Sequence, residues 1–148
     1  MIYHVQFPGL GLDLTVNRVA LAIGGFNPTN FLEALDGQRG YIDRHLTLDG
    51  TRACAYATVL DCIRDGVTTI FDHHASYGEI PGTLHTIAEE SKRLGLRSCL
   101  CYEVSDRDGE EKCLQAIQEN ADFITECEQR KDPMLAAMFG GHALFTIS

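Results

Sequence analysis

Three apolar segments of the sequence each end in side chains that can take part in catalysis or binding. These side chains are Asp72–His74 in "TTIFDHHAS", Glu103 with Ser105–Arg107, and His142 with Thr146 and Ser148. Imidazoles and carboxylates can bind a metal, transfer a proton, or hold a small substrate by hydrogen bonds. One polar crevice built from all three groups is therefore one interpretation of the sequence.

A structural role is the competing interpretation of the same residues. Asp72 can cap its strand, His73 and His74 can be solvated, and Asp106 can begin the next helix. A single polar strand end carries little information, whereas three in succession favour a shared site. Both interpretations stay open at this point.

The elements that must position these groups alternate along the chain. A helix is predicted after Thr47, which can cap it, and Gly66 ends that helix before the strand "VTTIFD". A second helix ends at Gly95 and precedes the strand "LRSCLCYEV", and a third, acidic at its start and basic at its end, follows that strand. The short apolar strand in "MLAAMFGGHALFTIS" completes the series.

Apolar residues at helical spacing predict which face of each helix is buried. The predicted positions are Tyr56, Val59, Leu60 and Ile63 in the first helix, Leu84, Ile87, Ala88, Ser91 and Leu94 in the second, and Leu114, Ile117, Ala121 and Ile124 in the third.

Strands separated by helices imply parallel pairing and an α/β fold. The strands are apolar throughout rather than alternating, which is typical of parallel strands buried on both faces. Ligands of such sheets bind beyond the carboxyl ends of the strands, where the three polar groups lie. We therefore predict a single domain with an irregular N-terminal segment, 1–46, followed by β/α units in 47–148.

Composition excludes several classes of function. The formal net charge of −9 argues against nucleic-acid binding, because a phosphate-binding surface needs a basic patch. No apolar run approaches the roughly 20 residues that span a bilayer, and no signal peptide is recognisable. The six cysteines form no CxxC pair and are predicted to be free thiols in a reducing compartment, with Cys99 and Cys101 on one strand face. These features predict a cytoplasmic protein.

Three segments of the chain resemble the metal-dependent amidohydrolase superfamily. They are "GVTTIFDHHAS", "LGLRSCLCYEVSDRDGEE" and "FGGHALFTIS", and within the superfamily they are most similar to aminohydrolases of the SsnA type, which are linked to selenium metabolism. The similarity covers roughly residues 29 to 148. It implies a (β/α)8 barrel in which a hydroxide activated by a divalent metal, zinc or iron, attacks a carbon that carries a nitrogen leaving group.

The metal-binding motifs of that family have no counterpart here. The family holds its metal with H-x-H after the first strand and with later histidines and an aspartate, and this sequence contains no H-x-H. A full barrel needs about 250 residues. We therefore expect the N-terminal half of a barrel only, inactive as an isolated chain.

The resemblance implies roles for several histidines. His142 matches a histidine that faces the substrate in deaminase-like relatives, and His73, His74 and Glu103 are further candidates for the substrate side. A zinc site formed by His73, His74, His142 and a cysteine is a separate possibility. The remaining histidines, His4, His45 and His85, are interpreted as surface or packing residues.

Two functional hypotheses follow. In the first, the chain is a fragment of an aminohydrolase that acts on non-peptide C–N bonds of a small-molecule substrate. In the second, it is a non-catalytic α/β module that binds a ligand or assembles with itself. Half of a barrel leaves open strand edges and apolar sheet faces, so a homo-oligomer or a complementing half-barrel is the expected partner.

Overall fold

Helices and parallel strands alternate along the part of the chain for which a structure can be given. The computed structural model describes residues 29–30, 33 and 40–142. The elements are α1 (Gly40–His45), α2 (Leu48–Arg64), β1 (Thr69–His74), α3 (Thr83–Leu94), β2 (Arg97–Val104), α4 (Glu110–Arg130), β3 (Leu135–Ala137) and β4 (Gly140–Gly141). His4, Thr146 and Ser148 lie outside the described residues, as does most of the segment 1–46. Within that segment, α1 forms a helix that the sequence did not indicate.

Strand pairing confirms the predicted parallel α/β fold. Strand β2 is central and pairs in parallel with β1 on one side, with His73 opposite Cys101. On its other side it pairs in parallel with β3 and then with β4, where Glu103 lies opposite Gly140. The carboxyl ends of the described strands therefore lie at one edge of the sheet.

The prediction that the strands are buried on both faces holds for β2 but is wrong for β1. Residues Ser98 to Val104 of β2 are all buried, whereas burial alternates along β1. Phe71, in the middle of β1, is 49% exposed. Within the described residues β1 pairs only with β2, and the helices pack on the opposite face, where Ile70 belongs to the same buried apolar cluster as Val59.

The start of α2 confirms a local sequence signal. The Thr47 side chain accepts a hydrogen bond from the Gly50 amide at 3.2 Å, and Gly66, with φ of 78°, follows the end of the helix. The predicted buried face is only partly correct, because Val59 is buried while Tyr56 and Ile63 are largely exposed. The positions that turn inward are small or β-branched (Thr51, Ala55, Thr58 and Val59), which allows close packing against α3.

The buried face of α4 differs more strongly from the prediction. Leu114 is 59% exposed, and Ile117 and Ala121 are also exposed. The buried positions are Ala116, Glu119, Asn120 and Phe123. The prediction from apolar spacing failed because two of the buried residues are polar, and polar side chains can be buried only when distant partners form hydrogen bonds with them. The helix also begins later than predicted, at Glu110 after Gly109, so Asp106 does not cap it.

Asn120 is satisfied by the backbone of β2, at the break between β3 and β4. Its Oδ1 accepts a hydrogen bond from the Tyr102 amide at 2.9 Å, and its Nδ2 donates to the Tyr102 carbonyl at 2.9 Å. Neighbouring even-numbered residues of β2 bond instead to residues that flank β3 and β4, as the Leu100 carbonyl does by accepting from the Met138 amide at 3.0 Å. The Asn120 amide thus replaces a missing strand neighbour, and the chain resumes pairing at Gly140, just before His142.

Glu119 acts similarly at the start of α3. Its carboxylate accepts hydrogen bonds from the amides of Gly82 and Leu84 at 2.8 and 2.9 Å. Those amides have no acceptor within their own helix, and Gly82 has no side chain to supply one. A carboxylate from a neighbouring helix therefore caps α3 and fixes the approach of α4.

Candidate functional site

Three polar side chains meet at the carboxyl edge of the sheet. Glu103, near the end of β2, lies between His73 of β1 and His142, which follows β4. Its Oε2 is 3.9 Å from His73 Nδ1, and its Oε1 is 3.9 Å from His142 Nε2. The structure therefore brings together three of the four residues predicted for the substrate side.

His74 is the predicted residue that the structure separates from the other three. Consecutive side chains of a strand point to opposite faces, so His74 turns toward the helices when His73 turns away from them. His74 is fully buried, its Nε2 lies 2.9 Å from Ser76 Oγ, and its ring meets the Tyr102 ring edge-on at 5.7 Å between centroids. Its position is that of a packing residue beneath the loop after β1.

Arg107 is the centre of the cluster, although the sequence named it only among the strand-end residues. Its Nη2 lies 3.0 Å from Glu103 Oε1 and 3.1 Å from Asp43 Oδ2. Its Nη1 lies 3.4 Å from His142 Nε2, and its guanidinium carbon is 5.0 Å from the centre of the Tyr77 ring. The sequence carried no signal for Asp43, which reaches the site from a distant segment, or for Tyr77, which lies three residues beyond His74.

Electrostatic effects set the protonation states of this cluster. Burial, followed by the charge of Arg107 and then by His73, lowers the pKa of His142 below its ordinary value near 6.5. A guanidinium can only donate hydrogen bonds, so His142 Nε2 must be the unprotonated nitrogen that faces it. His142 is therefore a neutral imidazole at neutral pH.

The carboxylates of the cluster also determine the charge states of Arg107 and Tyr77. Burial acts to lower the pKa of Arg107, but the carboxylates, Glu103 first and Asp43 next, raise it overall, so the guanidinium stays charged. Burial, and then the charge of Glu103, raise the pKa of Tyr77, whose hydroxyl donates to the Glu103 carbonyl at 2.7 Å. One carboxylate, one neutral imidazole and a partly exposed imidazole are thus presented side by side.

The described residues do not fit a metal ion. Within residues 29–30, 33 and 40–142, no group of three or more histidine, cysteine, aspartate or glutamate side chains is arranged to hold one. The guanidinium of Arg107, 3.0 Å from Glu103 Oε1 and 3.4 Å from His142 Nε2, occupies the space that a cation would take. Of the residues considered as a possible zinc site, His73 and His142 lie at the carboxyl edge beside Glu103, whereas His74 lies on the opposite face of β1.

No disulfide joins any of the six cysteines in the structure. Cys99 and Cys101 lie on the same face of β2 by strand alternation, as predicted. Burial, followed by the charge of Asp72, raises the pKa of Cys101 to about 12. A thiol in that state is a poor nucleophile and a poor metal ligand.

The other histidines have packing or surface contacts. His85 bonds to Glu126 and packs against the Phe123 ring, and His45 is exposed and stacks on Tyr41 with 4.4 Å between ring centroids. The interpretation of both as surface or packing residues is confirmed. No helix among the described residues has the length and apolar character needed to cross a membrane.

No family model matches the sequence. Solved structures are similar in fold. A triazine hydrolase variant superposes with a TM-score of 0.68 at 17% identity, over 93% of this chain and 35% of that one. The described strands and helices form part of a (β/α)8 barrel.

Two further structures agree with this partial barrel. Guanine deaminase from E. coli superposes with a TM-score of 0.60 at 18% identity, over 84% of this chain and 29% of that one. Atrazine chlorohydrolase TrzN from Arthrobacter aurescens TC1, in complex with zinc, superposes with a TM-score of 0.55 at 15% identity, over 97% of this chain and 32% of that one. The chain thus spans about a third of the length of the structures that it matches.

Proposed function

We propose that the chain is part of an amidohydrolase-type barrel, of the SsnA-like aminohydrolase branch, and that it carries one side of the substrate site. The parent reaction is the hydrolysis of a non-peptide C–N bond in a small molecule. The observation that carries this proposal is the meeting of His73, Glu103 and His142 at the carboxyl ends of neighbouring parallel strands. That edge is where barrels of this architecture bind their substrates.

The substrate class follows from the hydrogen-bonding groups of the cluster. A carboxylate accepts hydrogen bonds from amino groups, and a neutral imidazole offers one donor and one acceptor. Amino-substituted nitrogen heterocycles present donors and acceptors side by side and match both. The similarity to a triazine hydrolase and to a guanine deaminase supports the same class.

A divalent metal, zinc or iron, enters this proposal only through the superfamily. The described residues contribute substrate contacts rather than ligands, because Arg107 fills the space between Glu103 and His142. We expect the isolated chain to bind but not to hydrolyse the substrate. Six cysteines without a disulfide between them support a reducing, cytoplasmic location.

The test is a titration of the 148-residue chain with 2,4-diamino-1,3,5-triazine and with cytosine, followed by NMR. We expect saturable changes in the signals of His73 and His142, and at least a tenfold weaker affinity in His142→Ala. His45→Ala is the matched control, because His45 is exposed and lies outside the cluster. Binding that is unaffected by His142→Ala, or no binding at all, contradicts the proposal.

Self-assembly is a second candidate function, supported by exposed aromatic residues. Phe71 of β1 is 49% exposed, and Phe139, between β3 and β4, is 59% exposed. Exposed aromatic side chains on a sheet favour association with a second copy or with a complementing half-barrel. Light scattering tests this candidate by measuring the mass in solution of the wild type and of Phe71→Ser. A monomeric wild type excludes a stable homo-oligomer.

A further inference from the structure

Two adjacent residues of α1 and two adjacent residues of the loop after β2 pair with opposite charges. Asp43 Oδ2 lies 3.1 Å from Arg107 Nη2, and Arg44 Nε lies 2.5 Å from Asp108 Oδ1. The order of the charges is reversed between the two segments, acid before base in α1 and base before acid in the loop. We call these four residues the charge clamp.

The two pairs of the charge clamp differ in burial. The side chains of Arg107 and Asp43 are 16% and 8% exposed, whereas the Arg44 side chain is 43% exposed. The Asp108 side chain is 16% exposed, so water reaches this pair mainly at Arg44 and screens it more than the Asp43–Arg107 pair, which makes its contribution smaller. Removing one member of the buried pair leaves an uncompensated charge, which is costly. The Asp43–Arg107 pair is therefore the one that matters for the site.

Backbone contacts also hold α1 against the loop after β1. The Gly78 amide, in the loop after β1, donates to the Asp43 carbonyl at 2.8 Å. A Cβ atom at Gly78 would lie 2.6 Å from the Leu46 carbonyl oxygen, so the two backbones pack too closely for a side chain. Exchange of the Gly78 amide hydrogen consequently reports whether α1 is docked.

All three nitrogens of the Arg107 guanidinium face side chains of the protein. Its Nη2 faces Asp43 and Glu103, its Nε lies 3.5 Å from Asp108 Oδ2, and its Nη1 faces His142. We propose that Arg107 is a positioning residue, which holds Glu103 and His142 in place and links them through the charge clamp to α1. For its bearing on substrate, this inference rests on the proposed function.

The positioning role of Arg107 requires the planar shape of its guanidinium. A fork of fixed N–H groups can face two carboxylates and an imidazole at once, whereas a lysine ammonium is a point charge on a flexible stem. Arg107→Lys keeps the charge and loses the fork. It therefore tests position separately from charge.

The experiment follows the imidazole signals of His142 by NMR across a pH titration of the full chain. The groups that face this imidazole are Arg107, Glu103 and His73. We expect Arg107→Met to raise the pKa of His142, because a nearby positive charge that opposes protonation is removed. We expect Arg107→Lys to shift the His142 signals at constant pH while the chain remains folded.

Arg44→Met is the matched control, because it removes the same charge from the other pair of the charge clamp. It is expected to speed exchange of the Gly78 amide hydrogen less than the Arg107 variants do, and to leave the pKa of His142 unchanged. An equal pKa rise in Arg44→Met overturns the inference. Unchanged His142 signals in Arg107→Lys also overturn it, even if Arg107→Met fails to fold.

The ligand titration separates this inference from the proposed function. Weaker binding of the diaminotriazine by Arg107→Lys supports both the positioning role of Arg107 and the proposed function. Wild-type affinity in Arg107→Lys overturns the positioning role alone. Absence of binding by the wild type, with His142 signals that still respond to Arg107→Lys, overturns the proposed function and leaves the positioning role supported.

Discussion

Asn120→Leu tests whether one side chain of α4 replaces a strand neighbour of β2. The substitution keeps the approximate volume but leaves the amide and the carbonyl of Tyr102 without the two hydrogen bonds of 2.9 Å that Asn120 provides. Tyr102 is fully buried, so water is not expected to replace these partners. Each buried backbone group that loses its partner costs about 1–3 kcal/mol, so the expected loss is about 2–6 kcal/mol.

This loss is large beside the total stability of a domain, which is about 5–15 kcal/mol. Urea unfolding followed by circular dichroism measures it. With a slope of about 2 kcal/mol per molar urea, a loss of about 4 kcal/mol moves the midpoint down by about 2 M. The His142 amide, which donates to the Val104 carbonyl at 2.9 Å, should also exchange faster, because the strand that carries it loses its support.

Gln118→Leu is the control on the same helix. Gln118 is exposed and its side chain donates to Asp122 Oδ1 at 2.7 Å, so the same chemical change should alter stability by no more than about 0.5 kcal/mol. The reasoning fails if Asn120→Leu costs less than about 1 kcal/mol, or if Gln118→Leu costs as much as Asn120→Leu.

Two further predictions concern backbone contact and thiol reactivity. Gly78→Ala should cost about 1–3 kcal/mol in urea unfolding, because its Cβ would lie 2.6 Å from the Leu46 carbonyl oxygen. Gly50→Ala, whose Cβ would lie 2.9 Å from the terminal Leu46 Cδ1 and in ordinary contact with Thr47 Oγ1 rather than against backbone, should be neutral or stabilising by up to about 1 kcal/mol, and an equal loss in both variants would refute the argument. Iodoacetamide at pH 8 should modify partly buried Cys113 well before Cys101, whose pKa burial raises to about 12; mass spectrometry that finds equal rates contradicts this.

Local signals in the sequence were sufficient to predict the order of elements. Thr47 caps α2, and Gly95, with φ of 84°, ends α3, as expected of residues whose own chemistry begins or ends a helix. The segments "VTTIFD" and "LRSCLCYEV" supply β1 and β2, and their separation by a helix makes them parallel. These properties depend on a few neighbouring residues, so they can be predicted without knowledge of the rest of the chain.

Which face of a helix or strand is buried could not be predicted in the same way. Adjacent His73 and His74 lie on opposite faces of β1, and only the packing of the helices determines which one reaches the candidate site. The apolar stripe of α4 that contains Leu114 turned outward because the polar residues Glu119 and Asn120 find buried partners on α3 and β2. A pattern of apolar residues carries no information about such partners.

The spacing of the elements was enough to predict that three polar groups follow parallel strands and so lie at one edge of a sheet. The position of Arg107 among them depends on the packing of the folded chain. Its partner Asp43 is 64 positions away, and the ion pair forms because α1 packs against the loops beyond the strands. Long-range ion pairs depend on where whole elements come to rest, and short-range patterns of residue types do not encode that position.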